Sequence, residues 1–240
     1  MIAPGGPWRA LVPALLVAAA CGGGPPAALT TSGATLFRST ALSPSSLNVF
    51  SCAACHETQT RSTLIKPGAP LAGSPQRPSF WGGQENDLLR SINDCRNDFM
   101  DASAPLEATD PEADALYTYL LSLAPGDPHP VPFTVVTSIG DVPRGDADRG
   151  AAVYTLACAT CHGSLHDGLG RLDSRIPILP EQTLAQHASY SPAGQRLVFI
   201  EKVRHGGFLG YGGDMPPFSL EVLSDADLSD LLEALGALGS

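Results

Sequence analysis

Residues 50–60 read FSCAACHETQT, and the reading of this stretch decides the fold. Cys52 and Cys55 stand three positions apart, with His56 directly behind the second. Such a group can hold a zinc ion, run a redox disulfide, or carry a covalently attached group. The arrangement returns as Cys158-Ala-Thr-Cys161-His162, so one explanation has to serve both places.

Structural zinc needs four ligands in close array, and neither pair has a second CxxC or an HxxxH nearby. A thioredoxin-like pair belongs in a βαβ context, and no strand-rich pattern precedes either segment. A structural disulfide from i to i+3 is strained and leaves the repeated histidine without a purpose. C-x-x-C-H is, however, the attachment pattern of c-type haem. Two thiols one helical turn apart can each add to one porphyrin vinyl group, and the next residue then brings its imidazole beneath the iron. The expectation is two covalently bound haem c groups. One is held by Cys52 and Cys55 with His56 as proximal ligand, the other by Cys158 and Cys161 with His162.

The rest of the chain suits that reading. Among 240 residues, 25 are Gly and 22 Pro, while aromatics make up only 6%, which points to a loop-rich fold. The formal charge of -10 disfavours nucleic acid or an anionic membrane surface as a partner and suits a basic one. Arg9 is the only charged side chain in the first thirty residues, and ALVPALLVAAAC follows it. That apolar run is far shorter than the roughly 20 residues of a spanning helix, and it ends in small residues. Residues 1–20 therefore read as an export signal, placing the protein in a bacterial cell envelope, facing the periplasm. The small residues before Cys21 and the GGGPP after it resemble a lipobox, so Cys21 is the expected lipid anchor and residues 21–34 a flexible stalk. Cleavage without lipidation would instead leave a soluble periplasmic protein.

The repeat extends beyond the cysteines. Gly150 and Tyr154, with Asp146 as N-cap, mark a helix before the second motif, and Gly33 and Phe37 repeat the spacing before the first. After each motif comes an amphipathic helix. One opens at Thr109 or Asp110 with Pro111, and carries Leu116, Tyr119, Leu120 and Leu123. The other opens at Ser224 and carries Leu228, Leu231, Leu232, Leu235 and Leu238. Between motif and closing helix, Gly, Pro and short turns are expected to dominate. The fold class is all-α, with two tandem domains at 35–124 and 146–240 joined by a linker at 125–145. Each is a few helices wrapped round one haem, which supplies the apolar mass that so short a half lacks.

With these features the sequence resembles class I cytochromes c, as two fused domains. The second half carries the resemblance best, through CATCHG, HDGLGR, KVRHG, GDMPPFS and LSDADLSDLL. The closing part of the first half is similar to dihaem cytochromes of the thiosulfate dehydrogenase type. The resemblance implies one-electron transfer and assigns Met215 as sixth ligand of the second iron, ahead of His166, His187 and His205. The last of these reads as a loop histidine. For the first iron, Met100 or Cys95 remains open. Five residues apart on a helix, the two are not expected to face one ring together. The glycines at 206, 207, 210, 212 and 213 form no phosphate loop, because no P-loop lysine follows.

Two functions follow. In the first the chain is an electron carrier that meets redox partner proteins, basic ones by charge. In the second the first haem is catalytic toward sulfur compounds, with Cys95 on the iron and Arg77, Arg90 and Arg96 holding an anionic substrate. A dihaem peroxidase ranks third, since the chain is short for that family.

Overall fold

The computed structural model describes residues 26–59, 62–123, 128–206 and 215–237. The expected export signal, Cys21, the glycines at 207, 210, 212 and 213, and Leu238 lie outside the described residues. Among the described residues the architecture is all-α, with no strand and one isolated bridge between Phe80 and Glu85. No described helix is long and apolar enough to cross a membrane.

The first half holds α1 (Ala27–Arg38), the one-turn α2 (Cys52–Cys55), α3 (Leu88–Met100) and α4 (Pro111–Ser122). The second holds α5 (Ala147–Ala157), the one-turn α6 (Ala159–His162), α7 (Glu181–Gln186), α8 (Pro192–His205) and α9 (Asp225–Ala234). In each half the helix before the cysteines crosses the closing helix, and a glycine makes the crossing close. A Cβ on Gly33 would overlap the Ala115 carbonyl and stand 2.6 Å from Tyr119 Cβ; one on Gly150 would overlap the Asp230 carbonyl and stand 2.9 Å from Ala234 Cβ. Four residues beyond each glycine the aromatic ring is buried. Phe37 packs on Tyr119 with ring centroids 5.5 Å apart, and the Tyr154 hydroxyl donates to the Gly163 carbonyl at 3.1 Å.

Caps set the helix ends. Asp146 accepts from the Arg149 amide at 2.9 Å, and Ser224 and Asp227 form a reciprocal capping box. Pro111 sits in the first turn of α4, but the Asp110 carboxylate turns back to the Glu107 amide at 2.8 Å instead of capping the helix. The leucines at 228, 231, 232 and 235 are buried, each contributing about 1.5–3 kcal/mol by leaving water.

One expectation is corrected. Residues 27–34 were expected within a flexible stalk, yet α1 begins at Ala27 and buries Gly33 against α4. The stretch between motif and closing helix is mostly turns and loops as expected, but it also holds α3 in the first half and α8 in the second, capped by Asp87 and Ser191. The expected linker is strapped to the second half over much of its length. Thr134 donates to Glu221, His205 Nε2 meets the Val136 carbonyl at 2.6 Å, and buried Arg196 bonds Asp141, Val142, Pro143 and Ala237.

Gly150→Ala should destabilise the protein by about 1–3 kcal/mol in urea titration, through overpacking of the α5–α9 crossing. Asp230 takes bonds from Arg149 and the Asp146 amide, which hold its carboxyl below the usual range. Its contribution is present above the ordinary carboxylate pKa and is lost as pH falls through the lowered folded value. Asp230→Asn should therefore lower the thermal midpoint at pH 7 and shrink its fall below about pH 4.

Candidate functional site

The two CxxCH segments are built alike. The His56 amide donates to the Cys52 carbonyl at 2.8 Å, and the His162 amide to the Cys158 carbonyl at 2.9 Å, closing one helical turn in each. That turn sets the two thiols on one side with the imidazole directly after them. His56 Nδ1 donates to the Ala69 carbonyl at 2.8 Å, and His162 Nδ1 to the Pro177 carbonyl at 2.9 Å. A carbonyl only accepts, so Nδ1 carries the proton and Nε2 keeps its lone pair for a metal. Burial pushes both histidines below their usual pKa, favouring the neutral ring that ligation requires. Gly68 closes against His56, and any Cβ there would strike the ring.

The five described cysteines are free thiols. Burial raises Cys52 to about 11 and Cys55 and Cys158 to about 12, and it raises Cys161 as well. Among the described residues, no group of three His, Cys, Asp or Glu side chains converges as a zinc site would require.

Each segment borders a cavity. Cys158, Cys161, His162 and Met215 line one of about 880 Å³, within the roughly 300–1,000 Å³ typical of cofactor sites. Cys52, Cys55, His56, Cys95 and Met100 line a smaller one of about 190 Å³, whose walls would have to part to admit a porphyrin. The donor set fits haem c in both: two thiols for the vinyl groups and one imidazole presenting Nε2. In the smaller cavity two buried donors, Ser74 Oγ and Trp81 Nε1, have no hydrogen-bond partner among the described residues. Orphaned donors of that kind are costly, and a bound group with carboxylates would satisfy them.

Several expected residues are placed plainly. Met215 lies in the wall of the larger cavity, and of the three competing histidines only His187 does. His166 is exposed and meets Glu181 at 2.7 Å. His205 is not a loop residue. It ends α8, and both its ring nitrogens face acceptors, the Val136 carbonyl and Glu201, which raises its pKa. Cys95 and Met100, five residues apart on α3, both line the smaller cavity. Met100 is the more deeply seated, among Phe37, Leu42, Phe50 and Leu106.

Of the three arginines, Arg90 is exposed beside Glu85 at 3.4 Å and does not line the cavity. Arg77 and Arg96 do, but their guanidiniums serve backbone carbonyls. Arg77 donates to the Pro70 and Ala72 carbonyls at 2.7 and 2.9 Å, directly after the Ala69 carbonyl that holds His56. Arg96 bonds Leu42 and Ala104.

Sequence reasoning missed Ser74, Trp81, Gly68 and the two carbonyls. One faint signal existed: the acceptors fall 13 and 15 residues after their histidines, a near-repeat that carries no side-chain signature.

Residues 145–233 match the sequence family described as cytochrome C oxidase, cbb3-type, subunit III. The match supports a c-type cytochrome. Covalently bound haem c is the cofactor such a domain implies, and the helical fold agrees with it. No curated protein sequence matches the chain significantly. Among solved structures, the "as isolated" form of thiosulfate dehydrogenase (TsdBA) from Marichromatium purpuratum is similar at 21% identity, with a TM-score of 0.41. The similarity covers 88% of this chain and 48% of that one, so this chain spans about half its length.

Arg77→Met should cost about 2–4 kcal/mol in denaturant titration, because it strands two carbonyls beside His56. An unchanged midpoint would mean that the Ala69 loop holds its shape without the guanidinium.

Proposed function

We propose that the chain is a dihaem c-type cytochrome that transfers electrons in the cell envelope. The observation that carries this reading is the duplicated construction: two CxxCH turns, each with its imidazole held through Nδ1 by a backbone carbonyl. Haem c bound at these residues would supply one-electron redox chemistry. Cys52 and Cys55 would tether the first group and Cys158 and Cys161 the second. His56 and His162 would serve as proximal ligands, with Met215 opposite His162.

The residues around the two cavities suit a relay. Phe50, Cys55, Pro67 and Pro216 line both, so a single layer of side chains divides the contents of one from those of the other. The walls are largely apolar, which excludes water and lessens the solvent reorganisation that accompanies a change of charge. For the opposite side of the first site, we assign Met100, whose side chain is buried at α3's end within the apolar cluster. A thioether there suits a carrier.

One observation favours the enzyme reading, in which the first site turns over sulfur compounds. Cys95 lines the same cavity as Cys52 and Cys55. Against it, Arg77 and Arg96 are engaged with backbone carbonyls and Arg90 points away, which leaves an anionic substrate poorly served.

Lipidation at Cys21, membrane attachment through it, and basic redox partners belong to the same proposal. Cytochrome c domains are typically exported, and an acidic chain attracts a basic surface. No role in nucleic-acid binding is proposed.

The test is haem content by mass and absorbance after maturation with the cytochrome assembly machinery. Wild type should carry two haems, and replacing Cys52 and Cys55, or Cys158 and Cys161, with Ser should leave one each. A wild-type protein with one haem sinks the dihaem reading. In the oxidised protein, near-infrared magnetic circular dichroism and EPR should lose a thioether signature with Met100→Ala and another with Met215→Ala. A thiolate signature abolished by Cys95→Ala would transfer the first site to the enzyme reading.

A further inference from the structure

A lysine lies at the junction of the two sites. Lys66 belongs to the loop that returns from the first motif, and its neighbours fix that loop to both halves. The Ile65 amide donates to the Leu156 carbonyl of α5 at 3.0 Å, and the Gly68 amide donates to the Cys55 carbonyl at 2.9 Å. Between them Lys66 Nζ donates to the Ala53 carbonyl at 2.6 Å and to the His56 carbonyl at 3.3 Å, and it pairs with Glu57 at 3.0 Å. The lysine side chain is only 14% exposed, against 27% for Glu57. Lys66 lines the larger cavity, whereas Glu57 lines neither.

We propose that Lys66 is a built-in electrostatic control on the redox potential of the groups held at the two CxxCH segments, with Glu57 as its partial counter-charge. This rests on the reading of both segments as haem attachment sites. The Lys66 charge reaches both, because its ammonium bonds the Ala53 and His56 carbonyls of the first segment and its side chain lines the cavity bordered by Cys161 and His162 of the second. A cation stabilises the electron-rich reduced state and so raises a midpoint potential. Its effect is strong here because the ammonium is largely buried, where solvent and salt screen it weakly. Glu57 lies further toward solvent and cancels only part of it.

The alternative role is structural. Lys66 bonds carbonyls at the end of α2, as a basic side chain at a helix C-terminus does. Charge and capping separate in the variants. Lys66→Gln keeps a donor for the Ala53 carbonyl and removes the charge, Lys66→Arg keeps both, and Glu57→Gln removes the counter-charge.

Spectroelectrochemical titration of the full holoprotein reads the midpoints, with haem content measured alongside. Lys66→Gln should lower at least one midpoint, Glu57→Gln should raise it, and Lys66→Arg should stay near wild type. The opposite signs are the distinguishing result, since loss of a purely structural latch would move both variants the same way. Two haems with midpoints unchanged in Lys66→Gln, or shifts of one sign in both variants, overturn the inference alone. A wild-type chain with fewer than two haems overturns the dihaem reading and this inference with it.

Discussion

One hydrogen bond in each half, from an imidazole Nδ1 to a backbone carbonyl, is the constraint on which the rest depends. It fixes the tautomer, the ring plane and the direction of Nε2 together. Neither carbonyl arrives by accident. The Ala69 carbonyl is followed by two that Arg77 clamps, at Pro70 and Ala72, and Gly68 leaves room for the ring to close against the chain. Pro177 precedes a segment anchored by the Ile178 amide, which donates to the Gln182 side chain at 2.8 Å. The loops after each motif, poor in regular structure, are therefore the parts that aim the chemistry.

The helices have a different task. The α1–α4 and α5–α9 crossings bring chain segments far apart in sequence into close contact, and both rely on a glycine where backbone meets backbone. The two halves then share walls. Cys161 packs against the first half's apolar cluster, Ile65 packs against the second half's, and Val131, Pro132 and Phe133 of the linker line the smaller cavity. Phe133 also stands edge-on to Trp81, with centroids 5.5 Å apart. Such mutual burial ties the halves into one packed body, so neither site is complete within its own half.

Much of this was legible. The cysteine spacing, the Gly-x-x-x-aromatic signal and the leucine stripes are local patterns, and the structure carries them as helices in the expected places. The helix α8 was not legible. Its core residues Val198, Phe199, Ile200 and Val203 are interspersed with Arg196 and Arg204, which are also buried, so no clean amphipathic stripe appears. A guanidinium goes inside when several carbonyls converge on it, and those carbonyls come from segments distant in sequence. For the same reason α1 was cut short, because Gly33 is a packing residue only once α4 lies across it.

By itself the sequence determined the two CxxCH turns and the helical class, since such a turn and an apolar period depend on neighbours within one or two turns. Tertiary structure alone decided which carbonyls hold the histidines, that Arg77 and Arg96 face inward to backbone, and that Lys66 stands where the halves meet. Those outcomes depend on partners remote along the chain, and burial selects them only after the helices have crossed.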